Sequence, residues 1–214
     1  MTIIAIDGPA AAGKGTLARR LAAALGFDYL DTGLIYRAVG MELHRAGQDP
    51  ADCIAAEATA RSLTPEALRA SDLRGDAAAQ AASKVAAIPG VRAALLEFQR
   101  RFAHTPPSGR GAVLDGRDIG TVVCPEAEVK LFVVASLEKR AERRLKELQT
   151  ADGGAIYADV LADMQERDDR DRNRSVAPLV AAEGALLLDT SDLDADQAFA
   201  AALAYLREKG VASL

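Results

Sequence analysis

Three groups of residues in this chain have the types and spacing to handle phosphate. The first is Gly8-Pro9-Ala10-Ala11-Ala12-Gly13-Lys14-Gly15-Thr16. Gly8 and Gly13 allow backbone angles closed to other residues, so successive N–H groups can turn inward around an anion. Lys14 follows at the position from which an ammonium reaches the outer phosphates of a nucleoside triphosphate. The strict pattern next asks for Ser or Thr as a hydroxyl ligand for Mg2+. Here Gly15 stands in that place, with Thr16 after it. Nucleotide oxygens and waters are then left to hold the ion, which suits the reluctance of Mg2+ to shed its water.

The second group is Asp115-Gly116-Arg117-Asp118-Ile119-Gly120, which closes the apolar run Ala112-Val113-Leu114. Side chains at the C-terminal ends of parallel strands meet the ligand crevice of an open sheet. Asp115 is placed there to hold a water of Mg2+. Arg117 and Asp118 are adjacent and opposite in charge, which on a surface means an ion pair of little worth. At the mouth of an anion site they read different parts of one ligand.

The third group is Arg167-Asp168-Asp169-Arg170-Asp171-Arg172-Asn173-Arg174. On a helix Arg167, Arg170, Asp171 and Arg174 share one face, and Asp168, Asp169 and Arg172 point elsewhere. Mixed-charge runs are ordinarily solvated helix surfaces. Three guanidiniums aligned on one side instead suit a polyphosphate, since guanidinium binds phosphate oxygens bidentately and stays charged. Beside a phosphate cradle, a phosphate-gripping lid is the better reading.

The elements that must position these groups follow from hydrophobic pattern. Ile3-Ile4-Ala5-Ile6 reads as a buried strand, and the leucines from Leu17 recur at helical spacing up to Gly26. Strand, glycine-rich loop and helix in that order argue against an ordinary Gly/Ala-rich turn. A short strand over Phe27 to Leu30 precedes a helix opening near Thr32, capped by Asp31 or Thr32. On that helix Tyr36 and Arg37 are either surface residues or face the cradle, where Arg37 would grip a second phosphate. From Gly47 to Ala103 the Ala-rich chain predicts helices at about 50–61, 65–71, 76–87 and 90–103, with no strand-like alternation. This is a helical insertion, with Arg74, Ser83 and Arg92 as polar candidates that could equally face solvent. Val129 to Val134 reads as a buried parallel strand. Ser136 caps a helix that carries Arg140, Arg143 and Arg144, with Arg140 and Arg144 on one face. A last strand, Ala185 to Thr190, precedes an amphipathic helix opening near Ser191 and running from about Ala195 to Lys209.

Composition sets the outer bounds. A chain of 214 residues builds one domain, or one with insertions. Aromatics make up 4% and Trp is absent, so the core is Leu, Val, Ile and Ala. A net charge of −5 argues against a general nucleic-acid binder. No apolar run approaches the ~20 residues of a membrane span, and the N-terminus reads as a strand rather than a signal peptide. Cys53 and Cys124 have no paired spacing, which fits a reducing cytoplasm. His44 and His104 receive no role.

With Asp31-Thr32-Gly33-Leu34-Ile35-Tyr36-Arg37 and the extension Thr121-Val122-Val123 added, the ordered motifs resemble those of bacterial cytidylate kinases along nearly the whole chain. The resemblance implies an α/β phosphate-loop kinase core, with a five-stranded parallel sheet flanked by helices in a single domain over 1–214. It implies a helical acceptor-binding insertion at 45–108, shorter than the strand-containing insertion of many members, and a lid at 147–176. It implies transfer of the γ-phosphoryl group of ATP, with Mg2+, to CMP or dCMP by a cytoplasmic monomer with no nucleic-acid or membrane partner. By motif, residues 8–16 and Arg144 would hold ATP, and Arg37 and Arg117 the acceptor phosphate. Asp118 and Arg92 would read the cytosine, with Thr32, Tyr36 and Ser83 nearby. Arg167 and Asp171 would approach the sugar, and Arg170 and Arg174 the phosphates. Lys14, Arg117, Arg170 and Arg174 form the catalytic set, and Asp115 meets the metal only through water.

Chemistry independent of the family agrees on the acceptor. Cytosine offers an amino donor that a carboxylate accepts and ring acceptors that suit an arginine. Uracil presents a carbonyl there instead. Kinases for AMP, UMP or shikimate, a non-catalytic nucleotide switch and a nucleic-acid binder are the competing readings. A substrate panel and the salt dependence of any nucleic-acid binding separate them.

Overall fold

The computed structural model describes residues 1–64, 66–151 and 154–211, except for the side chains of Arg74, Thr150 and Ala151. Arg74 as a candidate therefore lies outside the described side chains. So do residues 152 and 153 of the 147–176 segment.

Five strands form one parallel sheet: β1 (Thr2–Asp7), β2 (Asp28–Asp31), β3 (Gly111–Gly116), β4 (Val129–Val134) and β5 (Leu186–Asp189). Their order is β2-β3-β1-β4-β5, so β1 is central. The chain builds outward on one side of β1 and then on the other, which places a crevice above its C-terminal end. Strand alternation splits β1 between two cores. Ile4 and Ile6 pack with Leu17, Leu21, Val113, Leu131 and Leu206, under α1 (Lys14–Leu25) and α8 (Ala195–Glu208). Ile3 and Ala5 pack on the other face with Ala103, Leu114, Ile119 and Val123.

Helix ends follow their capping chemistry. Asp31 caps α2 (Thr32–Arg45) by accepting from the Leu34 N–H at 3.1 Å, which decides between the two cap candidates. Ser136 Oγ accepts from the Lys139 N–H at 3.2 Å and starts α6 (Leu137–Ala151). The last helix opens on Asp194, which forms a capping box with Gln197. Ser191, the expected opening, turns back to Asp189 instead.

Between α2 and β3 the chain is helical, as its alanines require. It forms α3 (Cys53–Arg61), α4 (Asp76–Val85) and α5 (Pro89–His104). The helix expected over 65–71 is replaced by two short 3-10 turns, Ala67–Arg69 and Ser71–Arg74. Extended backbone at Ala70, between them, breaks any continuous helix. Gly40 lets α2 and α4 cross closely, since a Cβ there would lie 2.6 Å from that of Ala81. Beyond β4 and α6, α7 (Tyr157–Asn173) completes the set. Among the described residues no helix is long and apolar enough to cross a membrane.

Candidate active site

A cleft of about 310 Å³ opens where β1, β2 and β3 end, roofed by α6 and α7. Its floor is the loop from Ala10 to Thr16. Gly8 is required by close approach, because a Cβ there would sit 1.9 Å from the Val133 carbonyl oxygen. Gly13 adopts φ +91° and Ala11 φ +57°, so the loop holds one non-glycine residue in left-handed geometry. Gly8, Pro9 and Ala12 shape the loop from below, and the other loop residues line the cleft. Lys14 lies across the loop and donates to the Pro9 carbonyl at 2.6 Å. Burial, helped by the charge of Arg117, pushes its pKa down to about 7.

The opposite wall is built from arginines, most of them held by a carboxylate. Arg37 pairs with Asp31, and Arg117 Nε donates to Asp171 at 2.9 Å. Arg144 bridges Asp76 at 3.0 Å and Glu147 at 3.2 Å. Arg92 pairs with Asp118 and lies over the ring of buried Tyr36. Thus Arg117 and Asp118, neighbours in sequence, turn to partners on α7 and α5. Thr32 donates to the Asp115 carbonyl at 2.7 Å and joins β3 to the start of α2.

Among the described residues two donors on this wall lack a hydrogen bond, although one of them, Arg174 Nη2, lies 3.8 Å from an Asp118 oxygen. Nε of Arg167 and Nη2 of Arg174 are buried without a hydrogen bond. Burial and the neighbouring Arg117 push the Arg167 pKa down to about 10. Asp171 is held below the usual carboxylate range, because Arg117 and Arg167 outweigh the opposing effect of its burial. Buried guanidinium donors without a hydrogen bond cost free energy that an anionic ligand would recover.

Arg170 departs from the sequence expectation. It sits at the edge of the α7 stripe and does not line the cleft. Its guanidinium is held from behind the cleft wall by two lining residues, Gln80 at 3.0 Å and Ser83 at 3.2 Å, and by Glu166. Arg170 therefore joins α7 to α4. The remaining candidates, including Ser83, Arg144, Arg167, Asp171 and Arg174, do meet around the cleft.

Several residues escaped the sequence reading. Arg19 lines the cleft and lies over Tyr29, whose hydroxyl donates to Asp115 Oδ1 at 3.2 Å. Strand alternation puts Tyr29 on the same side of β2 as Asp31, a signal that was available. Arg140 and Asp168, each side chain 3% exposed, form a two-pronged pair at 2.6 and 3.1 Å. Arg140 also donates to the carbonyls of Ala135 and Ala10, tying α7 to the phosphate loop. No local pattern joins residues 28 positions apart.

Asp115 faces the loop as well, since a Cβ on Gly15 would lie 3.4 Å from its Oδ2. Burial and the charge of Asp31 raise its pKa to about 6. Among the described residues no group of three or more His, Cys, Asp or Glu side chains is gathered to enclose a metal.

A main-chain anion cradle thus faces a guanidinium wall across one cleft. The sequence matches the cytidylate kinase family over residues 4–208. A cytidylate kinase of Paramagnetospirillum magneticum is 78% identical, covering 97% of this chain and 99% of that one. One of Rhodospirillum rubrum is 61% identical over 97% and 98%. A crystal structure of an uncharacterized Eubacterium ventriosum protein shares the fold at a TM-score of 0.57 and 14% identity, covering 97% and 98%. Motifs, cleft and relatives agree: the chain belongs to the cytidylate kinase family.

Proposed function

We infer that this enzyme transfers the γ-phosphoryl group of ATP to CMP or dCMP, giving ADP and the diphosphate. The observation that carries this reading is the pair of donors without a hydrogen bond, on Arg167 and Arg174, buried in the wall that faces the phosphate loop. In this reading residues 8–16 and Arg144 hold ATP. Arg37 and Arg117 take the acceptor phosphate, and Arg167 and Asp171 lie by the sugar. Asp118, Arg92 and Ser83 surround the base. Residues 45–108 act as the acceptor-binding insertion and 147–176 as a lid, in a cytoplasmic monomer.

No general base is needed. The second pKa of a phosphate monoester is about 6, so the attacking oxygen is already ionised near neutrality. The protein aligns the two phosphates, offsets developing charge and excludes water. Lys14 gains an anionic partner when the triphosphate enters, which favours its protonated form and turns the ammonium toward the transferred group. The donor set fits Mg2+ held through water: Asp115 offers one free, poorly hydrated oxygen beside Gly15. Bound to ATP, the ion would neutralise phosphate charge.

Coupled ADP release across the nucleoside monophosphates tests the reading, with CMP and dCMP expected to far outpace UMP and AMP. Asp118→Ala should lose the CMP-over-UMP preference, because the buried partner of the amino group is gone. An unchanged ratio in that variant would remove Asp118 from base recognition.

A further inference from the structure

Asp7 ends β1, immediately before the phosphate loop, and is 3% exposed. It does not line the cleft. Its Oδ1 accepts from the Ile119 N–H and its Oδ2 from the Gly120 N–H, both at 2.8 Å. Those two N–H groups open a π-helical turn, Ile119–Val123, directly after Arg117 and Asp118. Asp7 pairs with Gly116 in the β1–β3 register, so the two strands end level. Beyond that point one chain becomes the donor loop and the other the acceptor-reading turn. The Asp7 carboxylate spans the gap between them.

We propose that Asp7 is a positioning residue that sets Arg117 and Asp118 at a fixed distance from the phosphate loop, and so governs turnover and cytosine selectivity. The inference rests on the acceptor reading given above for Arg117 and Asp118. Fold stability alone does not call for a carboxylate here. Burial opposes its charge and lifts its pKa to about 6, despite the two N–H donors. A charge kept where burial disfavours it marks geometry that apolar packing would not enforce. Gly120 fits a close approach here, since a Cβ there would crowd Ala182 at 3.1 Å while only touching Asp7 Oδ2 at 3.4 Å.

Asp7→Asn tests this, because it keeps the shape but turns an amide NH2 toward one of the two N–H groups. Expected are an ATP affinity within about threefold of wild type and a kcat with CMP about 100-fold lower, the scale of a small misplacement of reactants. The CMP-over-UMP preference should fall about tenfold. Loss of ATP affinity in step with kcat, with the preference intact, would overturn the proposal. So would wild-type kinetics. Asp118→Ala run in parallel separates the two claims. If that variant loses selectivity while Asp7→Asn keeps it, the tie fails alone; if Asp118→Ala keeps selectivity, the acceptor reading fails.

Should Asp7→Asn not fold, the wild-type protein decides by titration from pH 5 to 8. The groups acting on Asp7 are Asp118 and Lys14, with Cys124 nearby and Lys130 of β4 flanking Gly120. The Ile119 and Gly120 amide resonances should shift with the same midpoint as the Asp7 carboxyl carbon. The ratio of CMP to UMP affinity, in which phosphate ionisation cancels, should fall with them in acid. A ratio that stays constant through that titration would overturn the proposal.

Discussion

On the reading proposed above, the two walls of the cleft would bind anions by different means. The phosphate loop uses main-chain N–H groups and a helix N-terminus, which carry partial charge and need no counter-ion. Its one ammonium is parked on the Pro9 carbonyl and has a pKa pushed down to about 7. The arginine wall carries full charges that stay ionised, and carboxylates hold most of them in the ligand-free state: Asp31, Asp76, Asp118 and Asp171. Phosphate entering the loop displaces water. Phosphate entering the wall takes over from carboxylates, or satisfies Arg167 and Arg174 outright. One side is preformed, and the other is held ready by partners it must share.

Removing a cation from each wall should break this comparison most sharply. Lys14→Ala and Arg174→Ala are each expected to lower kcat about 10³-fold, since each deletes charge aimed at the transferred phosphoryl group. Their folding consequences should be mild. Arg174 Nη2 makes no hydrogen bond, which offsets what Arg174 gains from the Ala177 carbonyl and from Asp118 at 3.8 Å, so Arg174→Ala should change the melting temperature of the free protein only slightly. Steady-state kinetics with thermal unfolding on the same samples check both halves. A clear drop in melting temperature would show that Arg174 is mainly structural.

Arg140 and Asp168 give the opposite outcome. Their pair is among the most buried charges of the described residues and lies off the cleft. Asp168→Ala leaves a guanidinium without its carboxylate, at an expected cost of about 3–5 kcal/mol, read as a shift in the denaturation midpoint. A loss under about 1 kcal/mol, the scale of a surface pair, would show that Arg140 finds other partners.

The same contrast explains what could be read in the sequence. The phosphate loop is local: its glycines, lysine, strand and helix lie within 25 residues, so spacing alone reveals it. The five strands and most helices were equally legible, because apolar runs and caps are local too. The arginine wall was half legible. Helical periodicity found the α7 stripe but could not show that Arg170, on its edge, would be claimed by Gln80 and Ser83. Adjacent Arg117 and Asp118 gave no hint that each pairs on a different helix. Asp168 was assigned away from the ligand, which is where it lies, but its partner Arg140 was beyond any sequence rule. Asp7 carries no local signal, because its partners are two backbone N–H groups 112 and 113 residues away.

The smallest expected effect concerns pH and refines how the charges of the cleft oppose folding. Asp115 has a folded-state pKa of about 6, above its ordinary 3.8. Between those values the folded protein holds a proton that the unfolded chain has released, so this group makes stability fall as pH rises from about 4 to 6. Lys14 runs the other way. Its pKa drops from 10.5 to about 7, so its contribution to stability recovers as pH rises above 7. The cleft therefore strains the ligand-free fold most between about pH 6 and 7, where both groups are charged. Asp115→Asn isolates one limb between pH 4 and 6, where Lys14 stays protonated in both proteins; at higher pH the lost carboxylate also pushes the Lys14 pKa further down. Its advantage in unfolding free energy should grow between pH 4 and 6 and stay near or below about 3 kcal/mol in that range. A difference that does not vary with pH would mean that Asp115 is better solvated than its position beside Gly15 implies.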